Sequence, residues 1–287
     1  MSTMWNGCLS DTEYLEVEAK SGLNYGVWIT TPMNYADSAA SMPLLYVMDG
    51  NWAVGLTAPL VVTQGDPYLN VAPYIQVSIG YAGEEAAHWA SLRNRDLVPP
   101  GEPVSEQMIA TLTAARDSGA MTPEHMDAYL AALVDTHADA FLDFITEELH
   151  PLVCTKYRVS TVGHGLFGYS YGGLFALYAW LRGTSIFSTV GAGSAGVTNE
   201  DSVIYAMVPA LTERLEQAPR LHLTINEAEL LGDVPIYRGL ARNVLQVAEL
   251  LYAKGYAPDI TTAMLHETHV TGLQASFLSY LKACHVG

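Results

Sequence analysis

The chain has 287 residues, with 13 Lys and Arg against 30 Asp and Glu, for a formal charge of −17. Apolar residues make up 50% and charged residues 15%, enough to fill a folded core, which excludes wholesale disorder. An acidic chain with only four Lys lacks the basic stripe of a polyphosphate-binding face and is repelled by an anionic membrane surface. The opening residues Met1–Cys8 carry neither a basic segment nor a long apolar run, so they do not read as a secretory signal. No stretch approaches the ~18–20 apolar residues of a membrane span. Cys8, Cys154 and Cys284 are few and dispersed, which speaks against a disulfide framework and against a CxxC metal site. The expectation is a cytoplasmic protein with ordinary thiols and neither a nucleic-acid nor a membrane partner, with residues 1–287 forming one domain.

In chain order, residues 13–20 alternate apolar and polar, as does the run around 25–29, and Ser21-Gly22 separates them. This predicts an antiparallel hairpin at a sheet edge. Residues 44–48 (LLYVM) and 74–79 (YIQVSI) are short, nearly continuous apolar runs, suited to strands covered on both faces. Residues 98–137 depart from this pattern. After Val98-Pro99-Pro100-Gly101, Ser105 can cap a helix carrying Met108, Ile109, Leu112 and Ala115. Thr122 can cap a second, with Pro123 in its first position and Met126, Tyr129, Leu130 and Leu133 on one face. This is a helical insertion, either extra packing or a lid. From Phe141, apolar residues recur at helical spacing through Leu152. A strand near Leu166-Phe167 and a helix over about 172–182 follow. Strand-like runs return at 186–190, 221–225 and 260–265, and helical patterns at about 237–254 and 272–284. Such alternation predicts an α/β fold, a mostly parallel sheet with helices on both faces.

The strongest motif is Gly168-Tyr169-Ser170-Tyr171-Gly172-Gly173, which matches G-x-S-x-G between a strand and an apolar helix. A serine on that tight turn exposes its hydroxyl, the small neighbours avoid clashes, and the helix N-terminus offers free N–H groups to a developing oxyanion. Gly163-His164-Gly165-Leu166-Phe167-Gly168 overlaps it and fits G-x-G-x-x-G, the mark of a nucleotide-dependent oxidoreductase. Its helix starts too late, however, and no acid follows near Phe187-Ser188-Thr189 to hold a ribose.

A serine nucleophile needs a histidine and a carboxylate later in the chain. His125, His137 and His150 fall in helical patterns, His222 in a strand and His285 at the tail. His269 falls in the loop between the last strand and the last helix, where a general base is expected; His266, nearer the strand, points elsewhere. HETH is not HExxH, so no metal is expected. The acid candidates follow the strand 221–225: Glu229 is favoured, with Glu227 and Asp233 as alternatives. The oxyanion donors are read as the N–H groups of Tyr171 and of Asn51, the latter preferred over Trp52 in the turn after the third strand. Trp52, Tyr81, His88, Trp89, Tyr169 and Tyr171 flank these loops. Of these, Trp52, Tyr81, Trp89 and Tyr169, with Arg93, are candidate substrate contacts. The competing reading packs the aromatics and pairs Arg93 and Arg95 with Asp96 and nearby acids.

Together, Leu45–Gly50, Gly80-Tyr81, Arg93–Leu97, Ala138–Leu142 with Glu147-Glu148-Leu149, Gly168–Leu177 and Glu267-Thr268-His269 resemble, in order, the putative esterase (esterase D / enterochelin-esterase-like) family of α/β-hydrolases. The resemblance covers roughly residues 15–282. It implies an eight-stranded, mostly parallel sheet and cofactor-free cleavage of carboxylic esters or thioesters, with siderophore, feruloyl, acetyl and formyl compounds among the family's substrates. It matches Ser170 to the nucleophile, His269 to the base and Glu229 to the acid, although Asn226 stands where the family often has Gly. Gly191-Ala192-Gly193-Ser194 replaces a usual Ser-Pro-Ser, and the 98–137 insertion is longer than in many members. The expected function is a serine hydrolase of a small-molecule ester, with homo-oligomer formation left open. A thioesterase, lactonase or C–C bond hydrolase would use the same residues, and a non-catalytic binding protein on the same fold is the alternative of another class. The acid excess then reads mainly as a solvent-facing coat, with Glu13, Glu16 and Glu18 on the hairpin and Asp143, Glu147 and Glu148 on a helix.

Overall fold

The computed structural model describes residues 9, 11–213 and 218–285, so the reading of Met1–Cys8, the Cys8 thiol included, lies outside the described residues. The strands are β1 (Thr12–Glu18), β2 (Asn24–Thr30), β3 (Leu44–Val47), β4 (Ile75–Tyr81), β5 (His164–Tyr169), β6 (Phe187–Gly193), β7 (Arg220–Asn226) and β8 (Ile260–Leu265). They form one sheet in the order β1-β2-β4-β3-β5-β6-β7-β8. β1 and β2 are the expected hairpin, with Leu15 opposite Val27, and β2 runs antiparallel to β4. Every pairing from β4 through β8 is parallel.

The continuous apolar runs have a direct cause. On β3, Leu44 and Tyr46 enter a large apolar cluster on one face, while Leu45 and Val47 enter a smaller one on the other. All four are fully buried. Burying one such Leu stabilises the fold by roughly 1.5–3 kcal/mol. At the edge, β1 turns Glu13, Glu16 and Glu18 to solvent, and Asp143 and Glu147 are likewise exposed.

The helices are α1 (Gly50–Thr57), α2 (Trp89–Leu97), α3 (Glu106–Asp117), α4 (Pro123–Val134), α5 (Ala138–Asp143), α6 (His150–Lys156), α7 (Tyr171–Arg182), α8 (Val203–Met207), α9 (Glu227–Leu231), α10 (Pro235–Ala253) and α11 (Gly272–Cys284). Four of them, α1, α2, α8 and α9, were not evident from periodicity. In α2, buried Asn94 and Asp96 interrupt the inward row of Trp89, Leu92 and Leu97, and α8 and α9 are barely more than one turn. The expected single helix from Phe141 to Leu152 is interrupted by a π-helical stretch, Phe144–Leu149, between α5 and α6.

The insertion forms the expected pair. Ser105 Oγ accepts from Met108 N at 3.1 Å and Thr122 Oγ1 from His125 N at 3.2 Å, so both caps are made. Leu112, Met126 and Leu133 are buried, whereas Ile109 stays exposed. α4 lies against α2, and α3 lies against α10. Among the described residues no helix is long and apolar enough to cross a membrane, and Cys154 and Cys284 are free thiols.

Candidate active site

Four loops at the C-terminal ends of the parallel strands converge. The first is the β5–α7 turn. Ser170 has φ 58° and ψ −121°, a conformation that costs energy for a non-glycine residue and persists because its surroundings fix it. Its N–H donates to Gly193 O at 2.9 Å, and its carbonyl accepts from Leu174 N and Gly196 N. The turn closes only because its flanks lack side chains: a Cβ on Gly168 would lie 1.9 Å from Gly172 O.

The second loop, between β8 and α11, carries His269. Its Nε2 lies 3.1 Å from Ser170 Oγ and its Nδ1 lies 2.7 Å from Glu229 Oε1. Tyr169 OH donates to His269 O at 2.9 Å and so ties this loop to the strand that ends at Ser170. The ring of Tyr237, on α10, stacks on the imidazole with centroids 4.4 Å apart and an 18° interplanar angle.

The third loop follows β7 and carries Glu229, whose surface is 0% exposed. The third helical position of α9 lets its carboxylate reach back to the amide before the helix, and Asn226 N donates to Oε2 at 2.8 Å. Ser194 Oγ donates to Oε2 at 2.9 Å, and Asn226 Nδ2 donates to Oε1 at 2.8 Å. Each carboxylate oxygen therefore accepts two hydrogen bonds. Burial alone would raise this carboxyl's pKa, but the bonds from His269 and Asn226 outweigh it and hold Glu229 below its ordinary value. An ionised Glu229 can only accept, so His269 Nδ1 carries the hydrogen and Nε2 is left to accept from the Ser170 hydroxyl. The other two acid candidates are placed elsewhere. Glu227 pairs with His266 Nδ1 at the surface, and Asp233 is exposed.

The fourth loop joins β3 to α1. Asp49 sits in the left-handed region at φ 60° and its carbonyl accepts from both Trp52 N, at 2.9 Å, and Ala53 N, at 2.7 Å. The Trp52 N–H is thereby occupied. Among the described residues the N–H groups of Asn51 and Tyr171 have no acceptor. The Asn51 side chain brackets the end of β4, donating to Tyr81 O at 3.0 Å and accepting from Tyr81 N at 2.6 Å.

Of the expected substrate contacts, Trp52 and Tyr169 lie beside the histidine: Tyr169 is 5.4 Å from the His269 ring and Trp52 is 6.4 Å from Tyr169. The others are engaged elsewhere. Tyr81 is buried and its hydroxyl donates to Asp96 Oδ2 at 3.1 Å, so it packs. Trp89 is half-buried against the larger apolar cluster and His88 is exposed. Arg93 donates from Nε and Nη2 to the two oxygens of Asp49, at 2.6 and 2.8 Å, and lies 5.5 Å from the Tyr171 ring. It links the β3 loop to the serine turn. Arg95 is fork-bonded to Asp96 at 2.8 and 3.0 Å.

The Gly163–Gly168 run lies just before and within β5, with Leu166 paired to both Tyr46 and Val190. A phosphate-cradling turn would have to lie beyond a strand, so this placement agrees with setting the dinucleotide reading aside. Among the described residues no group of three His, Cys, Asp or Glu side chains is arranged to hold a metal. His222 is satisfied within the fold, by Thr261 Oγ1 at 2.7 Å and Ser279 Oγ at 2.9 Å. Ser194, Asn226 and Tyr237 were missed as contributors. The only signal in the sequence was that two of them stand where the resembled family has other residues.

A family model described as "Putative esterase" matches residues 19–237. The chain is 30% identical over 175 residues to the ferri-bacillibactin esterase BesA of Bacillus subtilis (strain 168), covering 60% of this chain and 54% of that protein. It is 28% identical over 194 residues to a siderophore triacetylfusarinine C esterase of Aspergillus fumigatus, covering 66% and 57%. The match thus spans little more than half the length of these curated relatives. The siderophore hydrolase EstB of Aspergillus nidulans superposes with a TM-score of 0.77 at 21% identity, covering 97% of this chain and 96% of that one. The BES protein of Bacillus cereus superposes at 0.72 with 19% identity, covering 98% and 97%. The fold is that of the α/β-hydrolases, and the chain belongs to the esterase family described by the matching model.

Proposed function

We propose that the protein is a serine hydrolase that cleaves a carboxylic ester through an acyl-enzyme on Ser170. The observation that carries this reading is the unbroken run of contacts from buried Glu229 through His269 to Ser170. In the first half-reaction Ser170 Oγ attacks the ester carbonyl carbon while His269 Nε2 takes the hydroxyl proton. Glu229 holds the imidazole in the required tautomer and stabilises the imidazolium. The free N–H groups of Asn51 and Tyr171 are the oxyanion donors in this reading; losing one such donor costs on the order of 10²–10³ in rate. His269 then protonates the departing alcohol as its C–O bond breaks. In the second half-reaction His269 deprotonates a water that attacks the acyl carbon, and Ser170 leaves as the hydroxyl.

Thioesters and lactones pass through the same tetrahedral intermediate and are accommodated by the same groups. Multi-ester iron chelators are the first natural compounds to test, because the matched relatives are named as siderophore esterases. Trp52 and Tyr169 form the aromatic wall beside His269 in this reading. α4 of the insertion contributes Leu133, which bounds a small cavity together with Tyr171 of the serine turn. That position supports the insertion as a cover over the site. The unpaired Cys154 and Cys284 support operation in a reducing cytoplasm.

The test is hydrolysis of a panel of 4-nitrophenyl acyl esters and siderophore esters by the protein and by Ser170→Ala. The variant should lose on the order of 10⁵-fold or more in kcat. Wild-type rates in Ser170→Ala on every active ester would sink the assignment.

A further inference from the structure

Between α3, α10 and the loop after β6 lies a cleft of about 690 Å³, within the usual size of small-molecule sites. Its walls are the first turn of α3, the loop 198–200 after β6, and one face of α10. Two features connect it to the reacting centre. Tyr237, which stacks on His269, immediately precedes Arg238 of the cleft wall. Thr198 lines the cleft and also a small cavity bounded by Tyr171 and by Gly196, whose N–H donates to Ser170 O at 2.8 Å.

The cleft holds Arg238 and Arg242, one helical turn apart on α10. Cations are scarce in this chain, and among the described residues Arg158 and Arg220 are engaged by the carbonyls of Tyr35 and Ala283. Arg93, Arg95, Arg116 and Arg182 all pair with carboxylates. Among the described residues neither Arg238 nor Arg242 forms an ion pair, although Glu106 and Glu200 line the same cleft. Arg238 Nε is moreover buried with no hydrogen-bond acceptor. A guanidinium on the cleft wall that no carboxylate of the described chain engages is open to an anionic ligand. A guanidinium fork matches a carboxylate in two parallel hydrogen bonds. The two glutamates offset the two arginines, so the cleft opposes a polyanion, and any preference for a single carboxylate rests on the guanidinium forks themselves.

We propose that this cleft binds a carboxylate carried by the substrate at a distance from the scissile ester, with Arg238 as its principal contact and Arg242 as the second. The proposal rests on the serine-hydrolase reading and adds a specificity: esters that carry a remote carboxylate. The experiment uses mono-4-nitrophenyl dicarboxylates of increasing chain length, each beside a matched ester whose far carboxylate is replaced by a primary amide. A parallel pair carries the carboxylate on the alcohol side. In the wild-type protein one chain length should show a carboxylate-to-amide ratio of kcat/KM above unity, expressed mainly in KM. In Arg238→Gln that ratio should fall about tenfold or more, with a smaller fall in Arg242→Gln. Arg238→Lys, which keeps the charge but loses the fork, should recover part of it. Calorimetry with Ser170→Ala and the carboxylate ester keeps binding visible without turnover, and Arg238→Gln in that background should weaken it. A ratio at or below unity at every length on both sides, or a ratio unchanged in both glutamine variants, overturns the subsite while leaving Ser170 chemistry intact. Absence of any Ser170-dependent hydrolysis would instead defeat the underlying reading.

Discussion

Two histidine–glutamate pairs join the same two elements of this molecule. His266 meets Glu227 and His269 meets Glu229, so the pairs bridge the loop after β8 and the helix α9 within three residues of one another. Their surroundings differ. The His266 and Glu227 side chains are 89% and 39% exposed, those of His269 and Glu229 only 14% and 0%. The outer pair is exposed to water, which screens its interaction and competes for its hydrogen bond. The inner pair is fixed on every side, by Ser194, Asn226, the Tyr169 hydroxyl on the loop carbonyl, and the Tyr237 ring on the imidazole. A histidine beside a carboxylate is therefore not enough to make a catalytic base. What matters is a carboxylate saturated with donors and an imidazole whose second nitrogen has a serine to face.

Substitution of the inner pair should break that contrast most strongly. Glu229→Gln keeps the volume but loses the charge and turns one of the two accepting oxygens into a donor, so the carboxylate that fixes the His269 tautomer and stabilises its imidazolium is lost, and kcat on a 4-nitrophenyl ester should fall on the order of 10⁴-fold. A loss below tenfold would mean that Ser170 and His269 work as a dyad. The same variant sharpens the comparison through pH. The folded-state pKa of Glu229 is depressed, so its ionised form stabilises the fold above the ordinary carboxylate value, and that contribution fades as pH falls through the depressed value. The difference in Tm between wild type and Glu229→Gln should accordingly be largest near neutral pH and shrink in acid. A difference that grows on acidification would reverse the sign. The smallest effect belongs to the outer pair: Glu227→Gln and His266→Asn should each leave kcat/KM within about twofold.

This contrast also explains what the chain disclosed before its structure was known. Ser170 was legible because the strained turn needs a local signature, glycines on both sides of a serine between an apolar strand and an apolar helix. His269 was legible by position, in the loop before the last helix. Local pattern favours Glu229 only weakly over Glu227 and Asp233. All three are acids within one short loop, and what separates them is burial, which depends on Ser194 and His269 from distant segments. Tyr237 was hidden for the same reason, since its stacking partner lies 32 positions away in the sequence. The sheet was read well where both faces are covered, as on β3, β4 and β5. The helix α2 was missed because buried Asn94 and Asp96 interrupt the inward row of Trp89, Leu92 and Leu97. Asp96 anchors two residues near these loops: the pairing of Arg95 with Asp96 is the one expected from the sequence, and Tyr81, a candidate substrate contact, donates to the same carboxylate.

The central claim is that the inner pair activates one serine and that the outer pair does not take part. Its most direct measurement is covalent labelling by a fluorophosphonate, followed by intact mass and peptide mapping. Wild type and Glu227→Gln should take up one phosphoryl group on Ser170 at similar rates, Glu229→Gln should label far more slowly, and Ser170→Ala should not label. An adduct on any other residue, or ester hydrolysis that persists after Ser170 is fully labelled, would contradict the claim.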